Sequence, residues 1–169
     1  MDREEYERAV LQHKDRVHGH AAWMLRNSDE ARDVAQEALV KLWVHRQNVR
    51  PETVGAWLLR TSHNLCIDRL RRRRSRPQVD AEVLMTLEDE DQPGPERTAH
   101  TGELGRAISK ALTALSPRDR SAVVLREVQG LSYEEIARTI DVPLGTLKSV
   151  LHRARERLRR ELMTAGVNP

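Results

Sequence analysis

Apolar residues recur at three- and four-residue spacings along most of this chain, and no stretch alternates with the period of two that a strand requires. Tyr6, Val10, Val17, Ala21, Met24 and Leu25 predict a helix from Asp2 to Arg26. Asn27-Ser28-Asp29-Glu30 offers an N-cap oxygen followed by acids in a first turn. A second helix is predicted from Ala31 to His45, with Val34, Ala38 and Leu42 on one face and Leu39 and Trp43 beside it. Arg50-Pro51-Glu52 breaks the pattern, because the residue before a proline is steered away from the helical region. A third helix follows from about Val54 to Arg74, with Trp57, Leu58, Leu65, Ile67 and Leu70 apolar.

The last third carries the clearest start signals. Ser116-Pro117-Arg118-Asp119 places serine at the N-cap, proline at the first helical position and an acid in the first turn. Ser132-Tyr133-Glu134-Glu135 is a capping box, in which serine and glutamate each satisfy the other's free backbone N–H. Gly130 fits the end of the preceding helix, and Asp141-Val142-Pro143 a tight turn. Helices are expected near 104–115, 117–128, 132–140 and 143–162. Ile136 and Ile140 on one of them can meet Leu147, Val150 and Leu151 on the next, with the small Ala137 allowing close approach. That is a helix-turn-helix, which leaves Thr146, Lys148, Ser149, His152 and Arg153 outward at the start of its second helix. Such a helix fits the DNA major groove, where its N-terminal residues meet base edges.

The fold class is therefore all-α: two small helical domains, 1–76 and 104–169, joined by an acidic segment at 77–103. Composition agrees. Aromatics are 3 % of the 169 residues and phenylalanine is absent, so Leu, Val, Ala and Ile must build the cores. A unit of that size is marginal alone, and each half is expected to lean on a partner.

A net charge of +3 hides a block pattern. Six arginines fall between Arg69 and Arg76. Eight acids (Asp80, Glu82, Glu88, Asp89, Glu90, Asp91, Glu96, Glu103) then stand against Arg97 alone between Pro77 and Glu103. Six basic residues and one acid lie between Lys148 and Arg160. Basic blocks mark nucleic-acid surfaces. The acidic block, with Pro77, Pro93, Gly94 and Pro95, reads as a mobile tether on which Val83–Leu87 is the one apolar patch. The arginine run has two readings, a solvated helix end favoured by the macrodipole or a grip on phosphates, and mutual repulsion of six cations favours an anionic partner.

Little else offers chemistry. Cys66 is the only cysteine, which excludes an intrachain disulfide, and its apolar neighbours Leu65 and Ile67 point to a buried, inert thiol. His18 and His20, two apart on a helix, face different ways; His63 and Cys66 lack a second pair to complete a metal site. Trp43 and Trp57 are expected in the core rather than as base-stacking platforms. No phosphate-cradling loop or nucleophile motif occurs, so neither enzyme activity, a cofactor nor a small-molecule substrate is expected. The acidic N-terminus does not read as a signal peptide and no apolar run approaches a membrane span, so an intracellular protein without membrane insertion is expected.

The residues taken together resemble a known family. Asp29 to Trp43 (DEARDVAQEALVKLW) is similar to the core-polymerase-binding segment of bacterial sigma factors. Ala56 to Arg72 (AWLLRTSHNLCIDRLRR) resembles their helix that meets the minus-10 promoter element. Leu131 to Arg155, with LSYEEIA and GTLKSVLHRAR, resembles their minus-35 reader. Small size and a two-domain plan are similar to the extracytoplasmic-function class. The resemblance implies a non-enzymatic subunit of the bacterial cytoplasm that binds core RNA polymerase, recognises promoter DNA and helps melt it, commonly held by an anti-sigma factor. It assigns Asp33, Gln36, Glu37 and Lys41 to core polymerase, and Asn64, Asp68, Arg69 and Arg72 to the minus-10 element. It assigns Thr146, Lys148, Ser149, His152 and Arg153 to the minus-35 element, His152 standing where the family often has a larger aromatic. The loop at about Arg46 to Thr53 would help to form a pocket for a flipped base, whose extrusion costs a few kcal/mol. Two other readings stay open: a helix-turn-helix regulator acting without polymerase, though no dimer seam is evident, and an inactive sigma-like adaptor.

Overall fold

A computed structural model describes residues 1–76 and 102–168, all of whose regular structure is helical. The acidic segment from 77 to 101, with its Val83–Leu87 patch, lies outside the described residues. The N-terminal unit comprises α1 (Arg3–Leu25), α2 (Ser28–His45), a 3-10 turn (Pro51–Thr53) and α3 (Val54–Ser75). The C-terminal unit comprises α4 (Glu103–Thr113), α5 (Pro117–Val123) with its π extension (Val124–Val128), α6 (Tyr133–Ile140) and α7 (Leu144–Thr164).

Each boundary has a local cause. At α1, Asp2 accepts from the Glu5 N–H at 2.8 Å while Glu5 accepts from the Asp2 N–H at 2.8 Å, a second capping box that the sequence reading did not single out. Asn27 caps α2, accepting from the Glu30 N–H at 2.9 Å. Ser116 caps α5 in the same way at 3.2 Å. The expected box at α6 is present, with Ser132 Oγ accepting from Glu135 at 3.2 Å and the Glu135 carboxylate accepting from Ser132 at 2.7 Å; these bonds hold the Glu135 carboxyl below its usual range. The helix over 117–128 widens in its second half, where the Gln129 N–H reaches the Val124 carbonyl at 3.1 Å, and Gly130 ends it at φ +67°. Asp141 takes the left-handed conformation at φ +57°, which a short polar side chain tolerates, and turns the chain from α6 into α7.

Two apolar clusters fill the N-terminal unit, one around Leu42, Val54 and Leu58, the other around Met24, Val34 and Cys66. The C-terminal cluster around Val124, Leu125, Ile136, Leu147 and Leu151 crosses the domain boundary, because Trp23 from α1 and Leu59 from α3 belong to it. The marginal half therefore leans on the other half of its own chain. Polar contacts line this seam. Arg120, 6 % exposed, donates to the Leu112 carbonyl at 3.0 Å, the Thr113 carbonyl at 3.4 Å and, across the boundary, the Met24 carbonyl at 2.5 Å. Arg16 donates to Gln129 Oε1 at 3.0 Å and its carbonyl at 3.1 Å. Ser121 Oγ lies 2.7 Å from His63 Nδ1 and 3.4 Å from His20 Nε2, and His20 Nδ1 lies 2.9 Å from Ser62 Oγ.

Two substitutions separate core packing from capping. Leu147 is fully buried in the helix-turn-helix, and Leu147→Ala is expected to lower stability by about 2–5 kcal/mol. Ser132→Ala removes the cap alone and is expected to cost about 1 kcal/mol. Urea unfolding followed by helical circular dichroism reads both, and the first loss must exceed the second.

Candidate nucleic-acid interface

Along α7 the side chains divide by helical period. Leu147, Val150, Leu151 and Ala154 are buried, while Thr146, Lys148, Ser149, His152 and Arg153 are all exposed on the first half of the helix. Pro143 precedes α7 without a side-chain cap, so the free N–H groups and the positive end of the helix dipole face outward beside Thr146. This is the surface expected of a recognition helix, set at its angle by Ile136 and Ile140 beneath it. One basic residue of the block is withdrawn: Arg155 donates to Glu127 Oε1 through Nη2 at 2.6 Å and Nε at 3.0 Å.

α3 divides likewise. Leu58, Leu59, Ser62, His63, Cys66 and Leu70 face inward, and Asn64, Asp68 and Arg72 form an exposed stripe on successive turns. Arg69, assigned to the same stripe, is only half-exposed, with Nη2 3.6 Å from Glu37 of α2. The arginine run as a whole is not one solvated cluster, and part of the anionic partner it calls for is internal. Arg73 donates to the Leu25 carbonyl at 3.1 Å and pairs with Glu30, and Arg71 lies 3.9 Å from Asp68. Arg71 and Arg74 also join Arg118, Arg153 and the single acid Asp119 around an open cleft of about 390 Å³ between the two units, with Ser116 and Val150 in its wall. The basic ends of the two helix systems thus share one electropositive groove.

On α2, Asp33, Gln36 and Lys41 are exposed. Glu37 is half-buried between Lys41 at 3.8 Å and Arg69 at 3.6 Å, so it also ties α2 to α3. Val40 and Val44, 54 % and 65 % exposed, stand among these polar residues. They were missed in the sequence, although both fall off the Val34-Ala38-Leu42 face and so had to project outward.

Neither Trp43 nor Trp57 is an open platform. Trp43 is edge-on to Tyr6 at 4.9 Å with the Arg46 guanidinium 4.0 Å over its ring. Trp57 packs beside the cluster around Leu58, its ring centroid 6.1 Å from that of His45. The 46–53 loop is anchored by buried Val49 and by the N-terminal amine donating to the Arg46 carbonyl at 3.2 Å. Among the described residues no group of three His, Cys, Asp or Glu side chains is placed to hold a metal ion.

Comparison with known proteins finds relatives that span both units. The family model for sigma-70 region 2 matches residues 9–76, and that for sigma-70 region 4 matches residues 105–158. The chain is 41 % identical over 155 residues to the ECF RNA polymerase sigma factor SigE of Mycolicibacterium smegmatis, covering 91 % of this chain and 60 % of that protein. It is 33 % identical over 158 residues to the ECF RNA polymerase sigma factor SigW of Bacillus subtilis, covering 89 % and 84 %. The chain thus spans 60 % of the length of the first of these relatives. Among solved structures, the sigma factor RpoE in complex with the anti-sigma factor NepR, from Bartonella quintana, is similar with a TM-score of 0.72 and 26 % identity, covering 95 % of this chain and 98 % of that one.

Cys66 is fully buried, and burial pushes its thiol up to about 12 despite a hydrogen bond from Ser62. In the folded chain it is expected to resist a disulfide reagent at pH 7.5 and to react stoichiometrically once urea unfolds the protein. Rapid native reaction would show that α3 breathes away from α1.

Proposed function

Because the chain belongs to the extracytoplasmic-function RNA polymerase sigma factors, we propose that it binds core RNA polymerase, carries it to a particular set of promoters and assists their melting. It is a transcription-initiation factor; the phosphodiester chemistry belongs to the polymerase. The observation that supports this reading is the pairing of two separate outward polar stripes with basic members, one on α3 and one on α7, in the family's order along the chain.

The polar face of α2, with Asp33, Gln36, Glu37 and Lys41 around Val40 and Val44, is the core-polymerase surface. Asn64, Asp68 and Arg72 meet the minus-10 element, and Arg69 joins them by leaving Glu37. The 46–53 loop, held by Val49 and Arg46, borders the pocket for an extruded base. Thr146, Lys148, Ser149, His152 and Arg153 read the minus-35 element, with Lys and Arg suited to guanine and Ser and Thr to base edges or phosphate. The proposed site of action is the bacterial cytoplasm; among the described residues no helix is long and apolar enough to cross a membrane. An anti-sigma factor is the proposed regulator, supported by the likeness to the RpoE chain bound to NepR.

Co-elution with purified bacterial core polymerase on a sizing column at moderate salt is the expected result. Failure to co-elute, together with tight binding of duplex DNA by the chain alone, would favour a regulator that works without polymerase. Within the assembled holoenzyme, Arg153→Ala is expected to weaken binding to its promoter by about 1–3 kcal/mol while sparing unrelated duplex. An equal loss on every sequence would make Arg153 a phosphate contact.

A further inference from the structure

Four arginines from three elements converge on one cleft: Arg71 and Arg74 from the end of α3, Arg118 from the start of α5 and Arg153 from α7. The single acid in its wall is Asp119. Four cations against one carboxylate leave an excess of three positive charges around about 390 Å³ of space. Arg71 lies 3.9 Å from Asp68, and among the described residues Arg74, Arg118 and Arg153 pair with no acid. The excess is felt in the interior. After burial, the largest cause, Arg60 and Arg118 help to press His63 down to about 4, and Arg73, Arg26 and Arg74 help to press Arg120 down to about 10. Cations gathered in one concavity repel one another until an anion occupies it.

The shape of the cleft narrows the choice of anion. Its volume falls in the range of small-ligand pockets, roughly 300–1,000 Å³. A duplex is a stiff, convex rod that meets a concave wall only along one edge of its backbone. A short, flexible phosphate chain can enter and meet several guanidiniums, each a planar fork that matches phosphate oxygens in pairs. The rest of the wall is apolar. Buried Val150 and half-buried Ile67 and Pro117 stand beside the arginines, a surface on which a flat heterocycle can lie. The exposed Ser116 hydroxyl accepts from the Asp119 N–H at 3.2 Å and keeps its own proton to donate to a sugar or phosphate oxygen. Phosphates at one end and a ring at the other are the parts of a nucleotide.

We propose that this cleft binds a nucleoside polyphosphate, and that its occupation withholds Arg153 from promoter DNA. The binding site stands on the cleft alone. The competition rests on the sigma-factor reading above, which gives Arg153 to the minus-35 element. The nucleotide is a ligand here, bound and released unchanged.

Charge gives each wall residue a definite sign. Arg74→Gln and Arg118→Gln each remove a cation and a fork, and each is expected to weaken binding about tenfold or more. Neither residue belongs to the faces assigned to DNA or polymerase. Asp119→Asn removes the one repelling group and is expected to tighten binding about threefold or more, a gain that a damaged fold cannot imitate. Arg159, exposed on α7 outside the cleft, is the control, and Arg159→Gln is expected to stay within about twofold of the unaltered chain. The arginines of the cleft are exposed and screened by salt, so binding is also weaker at 300 mM NaCl than at 50 mM.

The test is isothermal titration of the full free chain with ATP, GTP and inorganic tripolyphosphate at pH 7.5 in 50 mM NaCl without divalent metal. One site per chain is expected, with ATP or GTP about fivefold or more tighter than tripolyphosphate, and with the changes above in variants that keep their helical circular dichroism. In a second arm, holoenzyme assembled from the chain and purified core polymerase retains genomic DNA fragments on a filter. The same single nucleotide at saturation should lower retention by the unaltered holoenzyme about threefold or more and leave that of the Arg118→Gln holoenzyme unchanged. No binding, several equivalent sites, tripolyphosphate as tight as either nucleotide, or an equal loss with Arg159→Gln overturns the proposal, leaving the arginines a diffuse phosphate-attracting surface. Equal loss of retention in both holoenzymes places the effect on the polymerase and overturns the competition. None of these results touches co-elution with polymerase, so the sigma reading survives them. A chain that binds nucleotide but never assembles with polymerase keeps the cleft and sinks that reading.

Discussion

A guanidinium without an acidic partner holds the two halves of this molecule to one another. Arg120 is buried against the last carbonyls of two helices, Leu112 and Thr113 near the end of α4 and Met24 near the end of α1. Those are the negative ends of both helix dipoles, and their carbonyls are the acceptors that a helix terminus leaves unfilled. Burial lowers the group only to about 10, so it stays charged, and removing either helix end would strand a cation in an apolar interior. The apolar seam depends on this tie. Trp23, the residue before Met24, and Leu59 of α3 complete the C-terminal core.

The sequence's economy of large side chains explains why sharing is needed. With no phenylalanine and three tryptophans, all in the first 57 residues, the C-terminal unit has no large aromatic hydrocarbon of its own beyond Tyr133 at its edge. Its interior is Leu, Val, Ile and Ala. Borrowing the indole of Trp23 adds the largest apolar surface available in the chain to a core that would otherwise end at solvent. The same borrowing sets where the recognition helix sits relative to α3.

The helices and the helix-turn-helix were legible because their causes are local: caps at Asn27, Ser116 and Ser132, breakers at Pro51 and Gly130, and a 3.6-residue period between them. The outward residues of α7 were legible for the same reason, since fixing Leu147, Val150 and Leu151 inward leaves Thr146, Lys148, Ser149, His152 and Arg153 no other side. The seam was not legible. His20, Ser62, His63, Ser121 and Arg120 are residue types read as surface, and what buries them lies up to 101 positions away. A signal was present in hindsight: His20 shares a face with Val17 and Met24, and Ser121 opens the run Ser121 to Leu125, buried at every position and hence all round its helix. The arginine run misled in part, because Glu37 and Glu30 come from another helix to neutralise Arg69 and Arg73.

The division of α3 by face has a consequence for how such a protein can change over generations. Its inward residues, Leu59, Ser62, His63, Cys66 and Leu70, answer to packing, and its outward residues, Asn64, Asp68 and Arg72, answer to whatever lies beyond the surface. The two sets share a backbone but few constraints. Duplicated copies of the gene can therefore diverge in what they recognise by exchanging residues on the outward stripe, while the architecture beneath is inherited unchanged. New regulatory circuits then become accessible through single steps, each of which leaves a folded protein.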